Sequence, residues 1–278
     1  MLSTIQSKAH KVLHVLEHQV ERVRNSGNLP ELSLTDRLIV DALRSEGAFV
    51  TSLDALSIPS TPNLLNATER LIPNMPPATP ADLVARPGYT KIAAEYPEIF
   101  LWGLEDRLLN IVEHYIGLPP ACIGADLRKE IANENRHKGS RLWHKDSEDY
   151  RQVKIIVYLN DVSEDVFAFE YIPKRLTPNN PFKSVYTDEE MAKTVPPSEW
   201  KLCLGPSGTV VFADPSQIYH HGKTPGSRGK DRFALFYSYT SRQPRRLEFC
   251  KTQFSKEGLL ILENRLSQRQ RDTALWYL

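Results

Sequence analysis

The feature that most limits the fold is a change of periodicity at Gly117-Leu118-Pro119-Pro120. Before it, Phe100, Leu101, Leu104, Leu108, Leu109, Val112 and Ile116 recur at helical spacing, which predicts a helix over about 97–117. Gly117 supplies a C-terminal stop, and the two prolines prevent continuation. Beyond them the apolar period falls to two, and 123–133, 152–159, 167–172, 209–212 and 233–239 read as strands. Helices in the first part and strands in the second imply a mainly β barrel or sandwich buttressed by N-terminal helices. The 278 residues are accommodated as one domain. Its parts are a mostly helical buttress with loops (1–120), a barrel core (121–245) and a C-terminal helix (255–278).

Within the buttress, Ile5, Val12, Leu13, Leu16, Val20 and Val23 predict an amphipathic helix over 3–25. His10, His14 and His18 share one face of it, read as a solvated face beside the apolar stripe. Ser33 or Thr35 can cap a second helix running to Ser45, and Gly47 closes it before a short strand, 48–51. Asp54 or Ser52 can open a further turn. Residues 58–89 carry Pro59, Pro62, Pro73, Pro76, Pro77, Pro80 and Pro87 and read as mostly loop. A second Pro-rich insertion, 174–200, reads either as a lid over a binding site or as a plain surface loop. Leu259, Leu262, Leu266 and Leu275 give the tail a face to pack on the body, with Arg265, Arg269 and Arg271 in water.

Charge excludes some partners. The formal net charge is +1, with 35 Lys+Arg against 34 Asp+Glu, so no global field draws nucleic acid or an anionic membrane surface. No apolar run reaches the roughly 18 residues of a membrane helix. Cys122, Cys203 and Cys250 are odd in number and far apart, which fits a cytoplasmic protein better than a disulfide framework.

The chemistry concentrates in Trp143-His144-Lys145-Asp146 and Tyr219-His220-His221. In an extended segment His144 and Asp146 share one side while Lys145 points away. A third ligand must come from elsewhere, and the pair at 220–221 is the evident source. Two His and one carboxylate on one side of a metal form the ligand set of non-haem Fe(II) oxygenases. Arg232 opens the apolar strand that follows, and its guanidinium fork matches a carboxylate. Alternation also puts Lys154 on one face with Ile156 and Tyr158, where its ammonium can meet a cosubstrate carboxylate if that face lines the barrel; Arg128 is placed similarly.

WHKD, GTVVFADPSQIYHHG and Arg232, with LRSEGAFV and IGLPP upstream, resemble the phytanoyl-CoA dioxygenase-like Fe(II)/2-oxoglutarate oxygenases over roughly 35–245. The resemblance implies a double-stranded β-helix, a jelly-roll, cupin-like barrel whose mouth holds the iron. It implies His144, Asp146 and His221 as iron ligands and Arg232 as the partner of the 2-oxoglutarate C5-carboxylate. Of the adjacent His220 and His221 only one can reach the iron, and the spacing to Arg232 favours His221. Arg228 competes with Arg232 from a loop. The implied reaction consumes O2 and 2-oxoglutarate, releases succinate and CO2, and hydroxylates a small-molecule substrate. Related halogenases have a small residue where Asp146 stands, so its presence favours hydroxylation, or desaturation or ring chemistry, over halogenation.

The chain departs from the family after the Lys154 strand, where Asp165-Val166-Phe167-Ala168-Phe169-Glu170 replaces a Gly-rich turn. With no basic cluster for a CoA pyrophosphate, this favours a natural-product substrate, such as an alkaloid-type toxin intermediate, over an acyl-CoA. Two other readings stay open: a hydroxylase of protein or peptide side chains docking at 58–89 and 174–200, and a non-catalytic ligand-binding barrel.

Overall fold

The structure, a computed structural model, describes residues 2–79, 82–133, 139–178, 183–225, 229–250 and 256–277, with backbone alone at 2–13 and 256. The chain begins with α1 (Leu2–Asn25), α2 (Leu34–Ser45), β1 (Ala48–Ser52), α3 (Leu53–Leu56) and α4 (Thr61–Leu71). It continues through β2 (Val84–Ala85), α5 (Tyr89–Glu95), α6 (Pro97–Trp102) and α7 (Asp106–Ile116). The β-rich part holds β3 (Pro120–Glu130), β4 (Trp143–His144), β5 (Val153–Tyr158), β6 (Ala168–Tyr171), β7 (Val185–Tyr186), α8 (Asp188–Ala192) and β8 (Lys201–Cys203). It ends with β9 (Thr209–Ala213), β10 (His220–Lys223), β11 (Arg232–Ser241), α9 (Lys256–Glu263) and α10 (Gln268–Ala274).

The local signals explain most boundaries. Ser33 accepts from the Asp36 amide at the start of α2, and Ser52 accepts from Ala55 at the start of α3. Gly117 ends α7 at φ 83°, a left-handed conformation that a Cβ disfavours. The expected 97–117 helix is two helices, broken at Gly103, where a Cβ would stand 2.4 Å from the Tyr237 ring. Residues 58–89 are less of a loop than their prolines suggest. Pro62 lies in the first turn of α4, where its missing N–H costs nothing, and Leu64, Ala67 and Leu71 on one face are fully buried. The tail is likewise two short helices, with Leu259, Leu262 and Leu266 inside. Arg269 does not simply face water: it pairs with Asp106 and Glu113 of α7.

The strands form two antiparallel sheets, in the orders β1-β9-β5-β11-β3-β2 and β7-β4-β10-β6-β8. With β3, β4, β5, β6, β8, β9, β10 and β11 taken as core strands one to eight, the sheets hold 6-3-8-1 and 2-7-4-5. This is the strand order of a double-stranded β-helix, and β1, β2 and β7 extend its edges. Alternation along each strand then sorts the core into three layers. Leu127, Ile155, Val157, Phe212, Leu235 and Tyr237 face the helices. Ile156, Tyr158, Val211, Ala213, Ala234 and Phe236 face the barrel interior. Trp143, Ile172, Tyr186, Met191, Val195 and Tyr219 form a third cluster on the outer face of the smaller sheet.

That third cluster tells against the lid. The described part of 174–200 places Tyr186, Met191 and Val195 against Trp143 and Tyr219, behind the smaller sheet and away from the barrel interior. The N-terminal helix also inverts the expectation. Leu16, Val20 and Val23 of its apolar stripe are exposed, whereas His18 is buried against Tyr150 and within 3.9 Å of Asp149. His14 meets the Tyr150 hydroxyl at 3.1 Å, and the His10 side chain lies outside the described residues. The three cysteines are buried free thiols. Among the described residues, no helix is long and apolar enough to cross a membrane.

One glycine beside the site requires its lack of a side chain. A Cβ on Gly222 would stand 2.2 Å from the ring of Phe167, which is itself buried. We expect Gly222→Ala to lower stability by about 1–3 kcal/mol through overpacking. Urea denaturation checks this, and an unchanged midpoint would show that the ring moves aside freely.

Candidate metal centre

Strand register assembles the site. β10 runs antiparallel between β4 and β6, with His220 directly opposite His144. Residues opposite each other in a ladder project to the same face, here the barrel interior. Asp146 follows β4, its amide held by the Pro215 carbonyl at 2.9 Å. One side-chain nitrogen or oxygen from each of His144, Asp146 and His220 lies within 4.8 Å of the others. Asp146 Oδ1 is 3.5 Å from His144 Nε2 and 3.8 Å from His220 Nε2.

Both imidazoles are oriented from behind. His144 Nδ1 lies 2.7 Å from the Leu142 carbonyl and His220 Nδ1 3.4 Å from that of Ile218. A carbonyl only accepts, so Nδ1 carries the proton in each ring and Nε2 turns its lone pair toward Asp146. Burial, with His144 nearby, pushes the His220 imidazole down to about 3, which keeps it neutral as a ligand must be. Burial raises Asp146, but Lys154 and the two histidines more than offset this, and the carboxyl lies well below the ordinary carboxylate range. Lys154 bonds Asp146 Oδ2, leaving Oδ1 toward the histidines. Two neutral nitrogens and one anionic oxygen form a donor set suited to a divalent first-row metal.

The third residue is therefore His220, and the expectation of His221 is corrected. Alternation sends His221 to the opposite face, where it stacks on Trp143 with centroids 3.9 Å apart. Its Nε2 is 2.8 Å from Glu170 and its Nδ1 3.1 Å from the Arg141 carbonyl. Both ring nitrogens are thus engaged on the face of β10 away from His144 and Asp146. Spacing along the chain does not choose between the two neighbours, whereas the β4–β10 register, with His220 opposite His144, does.

The other predicted residues line the same interior. Lys154 faces inward as expected and meets Asp146. Arg128 bonds Asp126 and lies over the Phe236 ring, 4.1 Å from its centroid. Arg232 is buried at the start of β11 and paired with Glu130. Arg228 lies outside the described residues. A polar cavity of about 150 Å³ opens beside Lys154, lined by Gly124, Asp126, Arg128, Glu148, Phe236 and Ser238. Sequence reasoning missed Asp126 and Glu130, although Asp126, Arg128 and Glu130 at period two in a strand were a readable sign of a charged inner face. It also missed Glu170, for which the sequence held no sign.

No family model matches the chain, and no curated protein matches it in sequence. Solved structures do match it in fold. EctD from S. alaskensis with 2-oxoglutarate and 5-hydroxyectoine is 18% identical with a TM-score of 0.52, covering 77% of this chain and 78% of that one. HygX from Streptomyces hygroscopicus with nickel, 2-oxoglutarate and hygromycin B is 15% identical with a TM-score of 0.51, covering 74% and 87%. The non-haem α-ketoglutarate-dependent epimerase SnoN from nogalamycin biosynthesis, with Fe3+, α-ketoglutarate and nogalamycin RO, is 13% identical with a TM-score of 0.52, covering 86% and 94%. At these identities the likeness is one of fold, the double-stranded β-helix. Each of the three was solved with 2-oxoglutarate (α-ketoglutarate) bound, two of them with a metal as well.

Proposed function

We propose that this protein is an Fe(II)/2-oxoglutarate-dependent dioxygenase that hydroxylates an unactivated C–H bond of a small natural product, with succinate and CO2 as co-products. The observation that carries the reading is the convergence of His144, Asp146 and His220, each oriented by a contact on the side away from the other two. Neighbours of the same fold bind iron or nickel, 2-oxoglutarate and natural products such as hygromycin B and nogalamycin RO, and this supports the assignment of metal, cosubstrate and substrate class. The motif resemblance to phytanoyl-CoA dioxygenase-like enzymes supports it independently, as do the motifs' positions on β4, β10 and β11.

In this reading His144, Asp146 and His220 hold Fe(II), and Arg232 receives the C5-carboxylate of 2-oxoglutarate. When bound, the iron and 2-oxoglutarate supply O2 activation. The chain's own residues do the rest. The Leu142 and Ile218 carbonyls hold the two Nδ1 protons, which fixes the tautomers. Lys154 holds Asp146 to a single ligating oxygen. Tyr158, Phe167 and Phe236 exclude water from around Arg232, and Arg128 and Lys154 add positive potential toward a dicarboxylate. The cavity beside Lys154 receives the substrate.

Anaerobic titration of the metal-free protein with Fe(II), then 2-oxoglutarate, tests the reading through the weak visible charge-transfer band of the chelate. A saturable band supports it. Absence of the band at millimolar cosubstrate returns the protein to the class of non-catalytic barrels.

A further inference from the structure

Arg232 does not wait with a free fork. Glu130 Oε2 faces both Nε and one terminal nitrogen of its guanidinium, and residues Glu130 and Arg232 are 4% and 2% exposed. The other terminal nitrogen, Nη1, is buried with no hydrogen-bond partner among the described residues. The rings of Tyr158, Phe167 and Phe236 surround the guanidinium at 5.3, 5.3 and 5.7 Å. A guanidinium boxed by three rings cannot swing to a new position, so any ligand must come to Nη1 while Glu130 holds the opposite edge.

We propose that Glu130 is an internal carboxylate that shares Arg232 with the distal carboxylate of the cosubstrate and so sets how tightly the cosubstrate is held. The inference rests on the 2-oxoglutarate reading above. Its physical basis is the cost of a buried, unpaired guanidinium, which Glu130 relieves before the cosubstrate arrives. The same carboxylate repels an arriving dicarboxylate. Two carboxylates on opposite edges of one guanidinium lie roughly 6 Å apart, and at an effective dielectric constant of about 20 their repulsion weakens binding on the order of tenfold to a hundredfold. Arg128 and Arg141, which also sense Glu130, keep the pocket positive enough for the dicarboxylate to bind at all. Glu130 is thus a positioning residue that stabilises the ligand-free barrel at the expense of cosubstrate affinity.

The test compares wild type with Glu130→Gln, which keeps the shape and an acceptor but removes the charge. Both are loaded anaerobically with Fe(II) and titrated with 2-oxoglutarate, and with 2-oxopentanoate, which has a methyl in place of the distal carboxylate. We expect the variant to bind 2-oxoglutarate about tenfold tighter or more, with 2-oxopentanoate unchanged within about twofold. Unchanged or weaker 2-oxoglutarate binding overturns the proposal, as does an equal shift for both ligands, which a general structural effect would produce. No binding of either ligand to wild type removes the functional reading itself, and the proposal with it. Thermal midpoints give a second readout. Glu130→Gln should melt below wild type without ligand and gain more from 2-oxoglutarate than wild type does; equal gains count against the idea. Glu130→Leu makes the same two predictions should the Gln variant not fold.

Discussion

His220→Ala loses Fe(II) binding by more than about a hundredfold, whereas His221→Ala keeps it within about threefold and loses stability instead. The first figure follows from scale, since removing even a supporting partner of a metal ligand costs 10–100-fold and His220 is a ligand itself. The second follows from what His221 touches. It stacks on Trp143 and pairs with Glu170, which is 3% exposed. Truncating it leaves a buried carboxylate with Lys223 as its remaining cation. Breaking a buried pair costs about 3–5 kcal/mol, and half-exposed Lys223 keeps the loss at the lower end. Metal titration beside urea denaturation separates the two variants. Equal loss of metal in both would mean that β10 tolerates a shift of register, contrary to its pairing with β4.

Arg232→Met loses about 3–5 kcal/mol of stability at neutral pH and weakens 2-oxoglutarate binding by a hundredfold or more. Methionine fills much of the volume but leaves Glu130 as an uncompensated charge inside the barrel. Adding Glu130→Gln to Arg232→Met should recover most of the stability and none of the cosubstrate affinity. Urea midpoints at neutral pH, with the same cosubstrate titration, decide it. A single variant as stable as wild type at neutral pH would mean that water reaches Glu130.

Both results depend on facts that differ in how openly the sequence displayed them. The division into buttress and barrel was legible because Gly117 and Pro119-Pro120 act within a few residues and owe nothing to distant contacts. The caps at Ser33 and Ser52 were legible for the same reason. Helix α4 was hidden because proline has opposite meanings in a first turn and in an interior, and only burial of Leu64 and Leu71 decides between them. The choice between His220 and His221 was hidden because it is settled by which residue of β10 lies opposite His144, a fact of pairing rather than of spacing. Glu130 was hidden in plain view: its charge was visible, but the pairing of β3 with β11 that sets it opposite Arg232 was not.

The outer cluster behind β4 bears on how this scaffold can diversify. β4 has only two residues, and Trp143 is anchored among Tyr186, Met191, Val195 and Tyr219 while His144 turns the other way. The insertion that looks like a replaceable surface appendage is therefore the foundation of the metal centre. Trimming it in search of new substrates would first disturb the placing of His144 beside Asp146 and His220. Freedom to evolve specificity lies instead at the cavity beside Lys154, around Glu148 and Ser238, where side chains can change without disturbing what holds the histidines.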